Sequence, residues 1–316
     1  MKAIFIDCNK QLAPVFARVA RPDDPPITVH GEVFSSPDLP RLLAGYGVCL
    51  DDHSYMPTEM MAQCRSLKHI VFLGTGASSY MDVAALDGLG IKVHTIKGYG
   101  DTAVAEHTVA LIFACCRDLA RMDRSVRRGV WDPLESMQLK DKTLGLIGIG
   151  GIGREVARIG RGIGMQVIGW NRTARADAGV PLLDLDTVVA RSDVISLHLA
   201  LTDETRAMIG EKQIARMKPG AILVNTARAA MVDETALIEA LRSGRIRHAG
   251  LDVFENEPLR PDHPLAAMDN VTLTAHAGFR TLEASMTLLR RGIDIVKRIV
   301  DGAGGSPRAG SISERD

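Results

Sequence analysis

Three side chains able to do carbonyl chemistry each follow an apolar, β-like run. Arg228 comes after AILVNT (221–226), Glu257 after HAGLDV (248–253) and His276 after VTLTA (271–275). A planar guanidinium holds a carboxylate through paired hydrogen bonds and polarises a neighbouring carbonyl. An imidazolium delivers a proton to the oxygen that becomes an alkoxide, and a carboxylate beside it favours the charged form of such an acid. Taken singly, each residue could be an ordinary surface or loop group. In parallel α/β sheets, however, functional groups gather at the carboxyl ends of strands. Three such groups at three strand ends suit the reduction of a 2-oxo acid.

That reduction needs a hydride donor, and the chain offers a place for one. The run TLGLI leads into GIGGIG at 148–153, and a helical pattern starts at once. Gly148 permits the turn, Gly150 lets the backbone approach a pyrophosphate and Gly153 allows close helix–strand packing. Gly151 and Ile152 fall at the helix start, where unpaired N–H groups and partial positive charge favour phosphate. About twenty residues further on, an NAD-binding fold carries a carboxylate for the ribose hydroxyls. Here the stretch is VIGWNRT (167–173), with Asn171 at the carboxylate's place and Arg172 and Thr173 after it. Loss of the acid and gain of a cation favour a 2′-phosphate, with Arg175 adding a weaker attraction. The expected cofactor is therefore NADPH, with NAD possible.

These groups need a scaffold of strands alternating with helices, and the sequence supplies one. A first series of β-like runs comprises KAIFID (2–7), YGVCL (46–50), HIVFL (69–73) and IKVHT (91–95), with a helical pattern at 57–64. A long helical pattern over 102–122, apolar nearly all round, suits burial between domains, with Cys115, Cys116 and His107 as packing residues. A second series runs through 143–148, 165–170, 193–199, 221–226, 248–253 and 271–275. The stretch DETALIEALRSG predicts a helix with Asp233 as N-cap and Gly244 just past its end. A last amphipathic helix is expected over 281–301, and the Gly/Ser-rich stretch 302–316 as a flexible tail. The 316 residues suffice for about two domains. Formal net charge is zero, which gives no global field toward nucleic acid or an anionic membrane. No apolar run approaches the ~20 residues of a membrane span. The opening MKAIFIDCNK reads as a strand rather than a secretion signal, so a cytoplasmic protein is expected. Five cysteines, with no metal-like Cys/His spacing, suggest reduced thiols and no metal site.

The ordered motifs GIGGIG, SLHLALTDETRAMIG (196–210), VNTARAAMVDETAL (224–237), AGLDVFENEPL (249–259) and LTAHAG (273–278), with VAEHTVAL (104–111), resemble the D-isomer-specific 2-hydroxyacid dehydrogenases over about residues 40–300. The resemblance implies an α/β protein of two doubly wound domains. A Rossmann cofactor domain (97–280) would be inserted in a flavodoxin-like substrate domain (1–96), to which the last helix returns. It implies a homodimer. It makes Arg228 the ligand of the substrate carboxylate and the polariser of the carbonyl, His276 the proton donor and Glu257 its partner. Asp252 would face the nicotinamide and Thr205 would lie near the cofactor. His198, Leu199, Thr226, Ala227 and Gly278 stand in the matched runs and would line the cofactor site. Gly74, Thr75, Gly76, Ala77 and Ser78 would hold the substrate carboxylate through backbone N–H groups. The chain departs from the family pattern at Ala200 (usually Pro), Ala229 (usually Gly), Asp101 (often Asn) and in the GTGASSYMD loop. The expected reaction is hydride transfer to a small 2-oxo acid such as glyoxylate or hydroxypyruvate, giving the D-2-hydroxy acid. The competing expectations are a 3-phosphoglycerate dehydrogenase and a non-catalytic, nucleotide-sensing protein of the corepressor type.

Overall fold

Short runs of β-branched and aliphatic residues form the strands, and in the central ones both faces of the run are buried. In a computed structural model, residues 1–173 and 178–302 are described. Arg175 and the expected tail beyond Gly302 lie outside the described residues. Strands β1 (Ala3–Phe5), β2 (Ile27–Val29), β3 (Val48–Asp51), β4 (His69–Phe72) and β5 (Lys92–Thr95) form one parallel sheet in the order β2-β1-β3-β4-β5, the flavodoxin-like order. Strands β6 (Thr143–Ile147), β7 (Gln166–Trp170), β8 (Val194–Leu197), β9 (Ala221–Asn225), β10 (Ile246–Leu251) and β11 (Val271–Leu273) form a second, in the order β11-β10-β9-β8-β6-β7. Successive residues feed opposite layers. In β9, Ala221 and Leu223 join one core cluster while Ile222 and Val224 join the other. In β4, Ile70 and Phe72 face one layer and Val71 the other. Such two-sided burial is what parallel sheets covered by helices require.

The chain divides into two compact units, Met1–Gly100 together with the residues from Thr281 onward, and Asp101–Arg280. In the first, the helix Leu282–Gly302 packs on the helix Leu12–Val19 and on β4. Thr281 Oγ1 caps it by accepting from Ala284 N at 3.1 Å. In the second, the helix Glu234–Arg242 starts where Asp233 accepts from Ala236 N at 3.0 Å, and Gly244 follows with a φ of +73°.

The long helical pattern of 102–122 is not one helix. A helix over Asp101–Cys116 packs on β9, β10 and β11, and a second begins at Leu119. Between them Asp118 takes a left-handed φ of +50°. Its carboxylate accepts from Arg247 Nη2 at 2.9 Å and from buried His248 Nδ1 at 3.2 Å, and these contacts outweigh helical continuity. Cys115 and Cys116 are buried in the core as expected, and burial pushes the Cys116 thiol up to about 12. The helix Leu12–Val19 and β2 lie in a stretch where the sequence showed no element. The residues of β2 are half-buried or exposed, so its apolar pattern is weak. Among the described residues, no helix is long and apolar enough to cross a membrane.

Arg290 ties the last helix of the first unit to the turn after the Leu12–Val19 helix. Its two Nη atoms donate to Asp24 at 2.7 Å each, and Nη1 also to Val19 O at 2.8 Å. Hydrogen bonding to Arg290 lowers the Asp24 carboxyl to about 2. An unfolded Asp titrates near ~3.9, so this contribution is complete above about pH 4 and is lost as pH falls toward 2. The urea midpoint of wild type should therefore exceed that of Asp24→Asn at pH 7, with the gap narrowing at pH 3. A gap of equal size at both pH values contradicts this linkage.

Candidate functional site

Strand β6 sits where the order of the second sheet reverses, with β7 on one side and β8 on the other. The crevice at such a switch point is where open α/β sheets bind nucleotides. Gly148, just past β6, has a φ of +105°, and a Cβ there would lie 2.8 Å from the backbone of His198 beyond β8. At Gly153 a Cβ would stand 2.1 Å from the Gly148 carbonyl oxygen, so the helix Gly151–Gly162 can lean on the turn only without side chains. At Gly150 a Cβ would meet nothing within 4 Å, which leaves the backbone open to an approaching group. The first N–H groups of that helix have no intrahelical acceptor. The turn thus fits a dinucleotide pyrophosphate. Asp101 also reaches it, since a Cβ on Gly151 would fall 1.8 Å from Asp101 Oδ2.

At the end of β7, Asn171 faces back into this turn. Its Oδ1 accepts from Ile149 N at 2.6 Å, and its buried Nδ2 has no hydrogen-bond partner among the described residues. Arg172 is exposed, and its Nη1 donates to Glu204 Oε2 at 2.6 Å. Thr173 is exposed. After β8, burial holds the His198 imidazole down at about 3, and its buried Nε2 lacks a partner among the described residues. Leu199 is half-buried beside Gly148. Thr205 Oγ1 accepts from Thr202 N at 2.7 Å and donates to Ala200 O at 2.9 Å, which closes the loop bearing Glu204.

Arg228, Glu257 and His276 follow β9, β10 and β11, three adjacent strands, and so emerge at one edge of the sheet. Beyond β9, Thr226 Oγ1 is 2.8 Å from Thr108 Oγ1, and Asn225 Oδ1 accepts from Ala227 N at 3.0 Å. Asn225 Nδ2 donates to Arg228 O at 3.0 Å, which fixes the backbone at the arginine. The guanidinium is half-buried and its Nη1 donates to Ala227 O at 2.7 Å. His276 Nδ1 donates to Glu257 Oε2 at 2.7 Å, and Glu257 Oε1 accepts from Phe254 N at 3.0 Å. One nitrogen of the imidazole is thus committed to the carboxylate, and Nε2 remains for chemistry.

His276 sits at a left-handed φ of +48°, which costs a non-glycine residue on the order of 1–2 kcal/mol. Asp252 holds it there. His276 N donates to the Asp252 carbonyl at 2.8 Å, Ala277 N to Oδ1 at 2.9 Å and Gly278 N to Oδ2 at 2.9 Å. Thr274 Oγ1 donates to Asp252 Oδ1 at 2.6 Å and accepts from His107 Nε2 at 3.0 Å. Gly278 leaves little room beside this carboxylate, since a Cβ there would stand 3.1 Å from Asp252 Oδ2. Burial of Asp252 favours its neutral form, but bonds from His107, Thr274, Ala277 and Gly278 outweigh it and hold the carboxyl below its ordinary value. Sequence reasoning gave His107 a packing role; it also donates to this network. Glu204 was missed altogether, because its partner lies 32 residues away and no local pattern marks the pair.

The loop Gly74–Ser78 belongs to the first unit, at the carboxyl end of β4. Gly74 packs on the Phe72 ring, where a Cβ would stand 2.8 Å from Cε1. Ala77 is buried in the core and starts a single 3₁₀ turn, with Gly76 half-buried and Thr75 and Ser78 exposed.

Residues 109–278 match the family described as D-isomer specific 2-hydroxyacid dehydrogenase, NAD binding domain. The chain belongs to the D-isomer-specific 2-hydroxyacid dehydrogenases. This is a family of NAD(P)-dependent oxidoreductases. A hydroxypyruvate reductase of Thermotoga maritima is 42% identical over 240 residues, 74% of this chain and 77% of the relative. A D-3-phosphoglycerate dehydrogenase of Archaeoglobus fulgidus is 38% identical over 261 residues, 81% of this chain and 49% of the relative. The chain therefore spans about half the length of that relative. The crystal structure of the TT0316 protein of Thermus thermophilus superposes with a TM-score of 0.84 at 31% identity, over 96% of this chain and 97% of that one.

In this dehydrogenase the Asp252 network generates a direct expectation. Asp252→Asn turns one accepting oxygen into a donor that faces N–H or O–H groups. Leaving those donors unsatisfied should cost about 1–3 kcal/mol in urea unfolding. A change within about 0.5 kcal/mol, the range of an ordinary surface substitution, contradicts the role given to Asp252.

Proposed function

We propose that this chain is an NADPH-dependent reductase of small 2-oxo acids, of the glyoxylate or hydroxypyruvate type, that yields the D-2-hydroxy acid. The observation that carries the reading is the His276–Glu257 contact of 2.7 Å, on a loop anchored by Asp252 at the strand edge from which Arg228 also emerges. Bound NADPH would supply the hydride for the 2-carbon. The Arg228 guanidinium would hold the substrate carboxylate and polarise the adjacent carbonyl. His276 would pass its Nε2 proton to the carbonyl oxygen as the 2-carbon accepts the hydride, and Glu257 would stabilise the charged imidazole before transfer. One 2-oxo acid, one hydride and one proton then give one 2-hydroxy acid.

For the cofactor, backbone at Gly150–Gly153 would take the pyrophosphate. Asn171, without a charge, removes the repulsion that an Asp would exert on a 2′-phosphate, and Arg172 and Thr173 can donate to that phosphate. His198, Leu199, Thr205, Thr226, Ala227 and Gly278 would line the remainder, with Asp252 beneath the nicotinamide end. A homodimer is part of the proposal. It rests on the family resemblance.

Substitution at the two proposed catalytic groups tests the reading. Arg228→Lys keeps a charge but loses the planar fork, and should lower kcat/KM for the 2-oxo acid at least about tenfold, with Arg228→Ala lower still. His276→Ala should lose about 10²–10⁴-fold. Cofactor dissociation constants, measured by fluorescence titration, should change much less. Arg228 variants with near-normal kcat/KM, or with cofactor binding lost in step with activity, contradict the assignment.

A further inference from the structure

The rim of the proposed adenosine site carries two opposite charges in contact. Arg172 Nη1 lies 2.6 Å from Glu204 Oε2, and their side chains are 61% and 68% exposed. Arg172 follows β7 and Glu204 follows β8, the strands on either side of β6. The Glu204 backbone is held in place by Thr205, whose Oγ1 bonds to Thr202 N and Ala200 O. Asn171 brings no charge and its Oδ1 is occupied by Ile149 N. Glu204 is therefore the carboxylate that Arg172 meets among the described residues.

We infer that Glu204 sets the cofactor balance of this enzyme: paired with Arg172, its carboxylate opposes a 2′-phosphate on the adenosine ribose. The inference rests on the reading that Arg172 receives that phosphate. Coulomb attraction falls as the inverse of distance. A carboxylate about 6 Å from the phosphate cancels roughly two-thirds of the attraction of a guanidinium at about 4 Å. The phosphate dianion meets a nearly neutral pair in place of a free cation, while a plain ribose carries no charge to repel. The pair is exposed, so its own cohesion is weak and does not prevent Arg172 from turning to the phosphate. Glu204 thus moderates a preference that Arg172 creates.

The test uses the full chain and reads binding rather than turnover. Calorimetric titration with adenosine 2′,5′-bisphosphate and with adenosine 5′-monophosphate gives a ratio of dissociation constants for wild type, Glu204→Gln and Arg172→Ala. Glu204→Gln should shift the ratio toward the bisphosphate by roughly fivefold, about 1 kcal/mol. Arg172→Ala should shift it the other way. A ratio that moves in Arg172→Ala but not in Glu204→Gln overturns the role of Glu204 and leaves the Arg172 reading intact. If Glu204→Gln weakens bisphosphate binding, Glu204 orients Arg172 instead of opposing the phosphate, and the proposal is wrong. If the ratio is unmoved in Arg172→Ala, both the Arg172 reading and the inference built on it fall.

Discussion

A buried carboxylate must have its lone pairs filled by donors or give up its charge. At Asp252 that requirement organises the second unit's functional edge. The residue directly follows β10, almost wholly buried, and its oxygens take up Thr274, Ala277 and Gly278, with His107 joining through Thr274. These bonds draw the chain after β11 into a tight left-handed turn at His276, a conformation the histidine would not otherwise favour. The same turn sets the imidazole against Glu257. The group proposed to move a proton is thus placed by a group that moves none.

The Gly-rich turn obeys a constraint of a different kind, one of space. β6 must deliver its chain over the end of β8 and straight into a helix, and the contacts of 2.8 Å at Gly148 and 2.1 Å at Gly153 leave no room for a methyl group. The open side of the turn, at Gly150, is where a phosphate can come close. Packing closes the turn at Gly148 and Gly153 and leaves it open at Gly150. Asn171 adds a third tie by accepting from Ile149 N, so the residue that replaces the usual acid also braces the turn.

Much of this was legible in the sequence because it depends on local order. Continuous apolar runs marked most strands, and polar residues just beyond them marked Arg228, Glu257 and His276 as sharing an edge. The fold class followed from alternation of strands and helices, and the motif order gave the family. What could not be read depends on contacts between distant segments. The helix break at Asp118 is set by Arg247 and His248 on β10, more than a hundred residues away. β2 lacks the apolar pattern of a buried strand because its side chains are half-buried or exposed. The Arg172–Glu204 pair joins two loops whose proximity comes from the strand order alone, and the inward turn of Asn171 depends on a backbone N–H that sequence does not orient.

The central claim is that the second unit's strand edge reduces a 2-oxo acid with a phosphorylated dinucleotide. Initial rates of NADPH and NADH oxidation with glyoxylate and with hydroxypyruvate test it most directly, with chiral analysis of the hydroxypyruvate product. The account predicts turnover of both acids, formation of the D-glycerate enantiomer and a larger kcat/KM with NADPH than with NADH. Absence of turnover with both acids, or a preference for NADH, contradicts it.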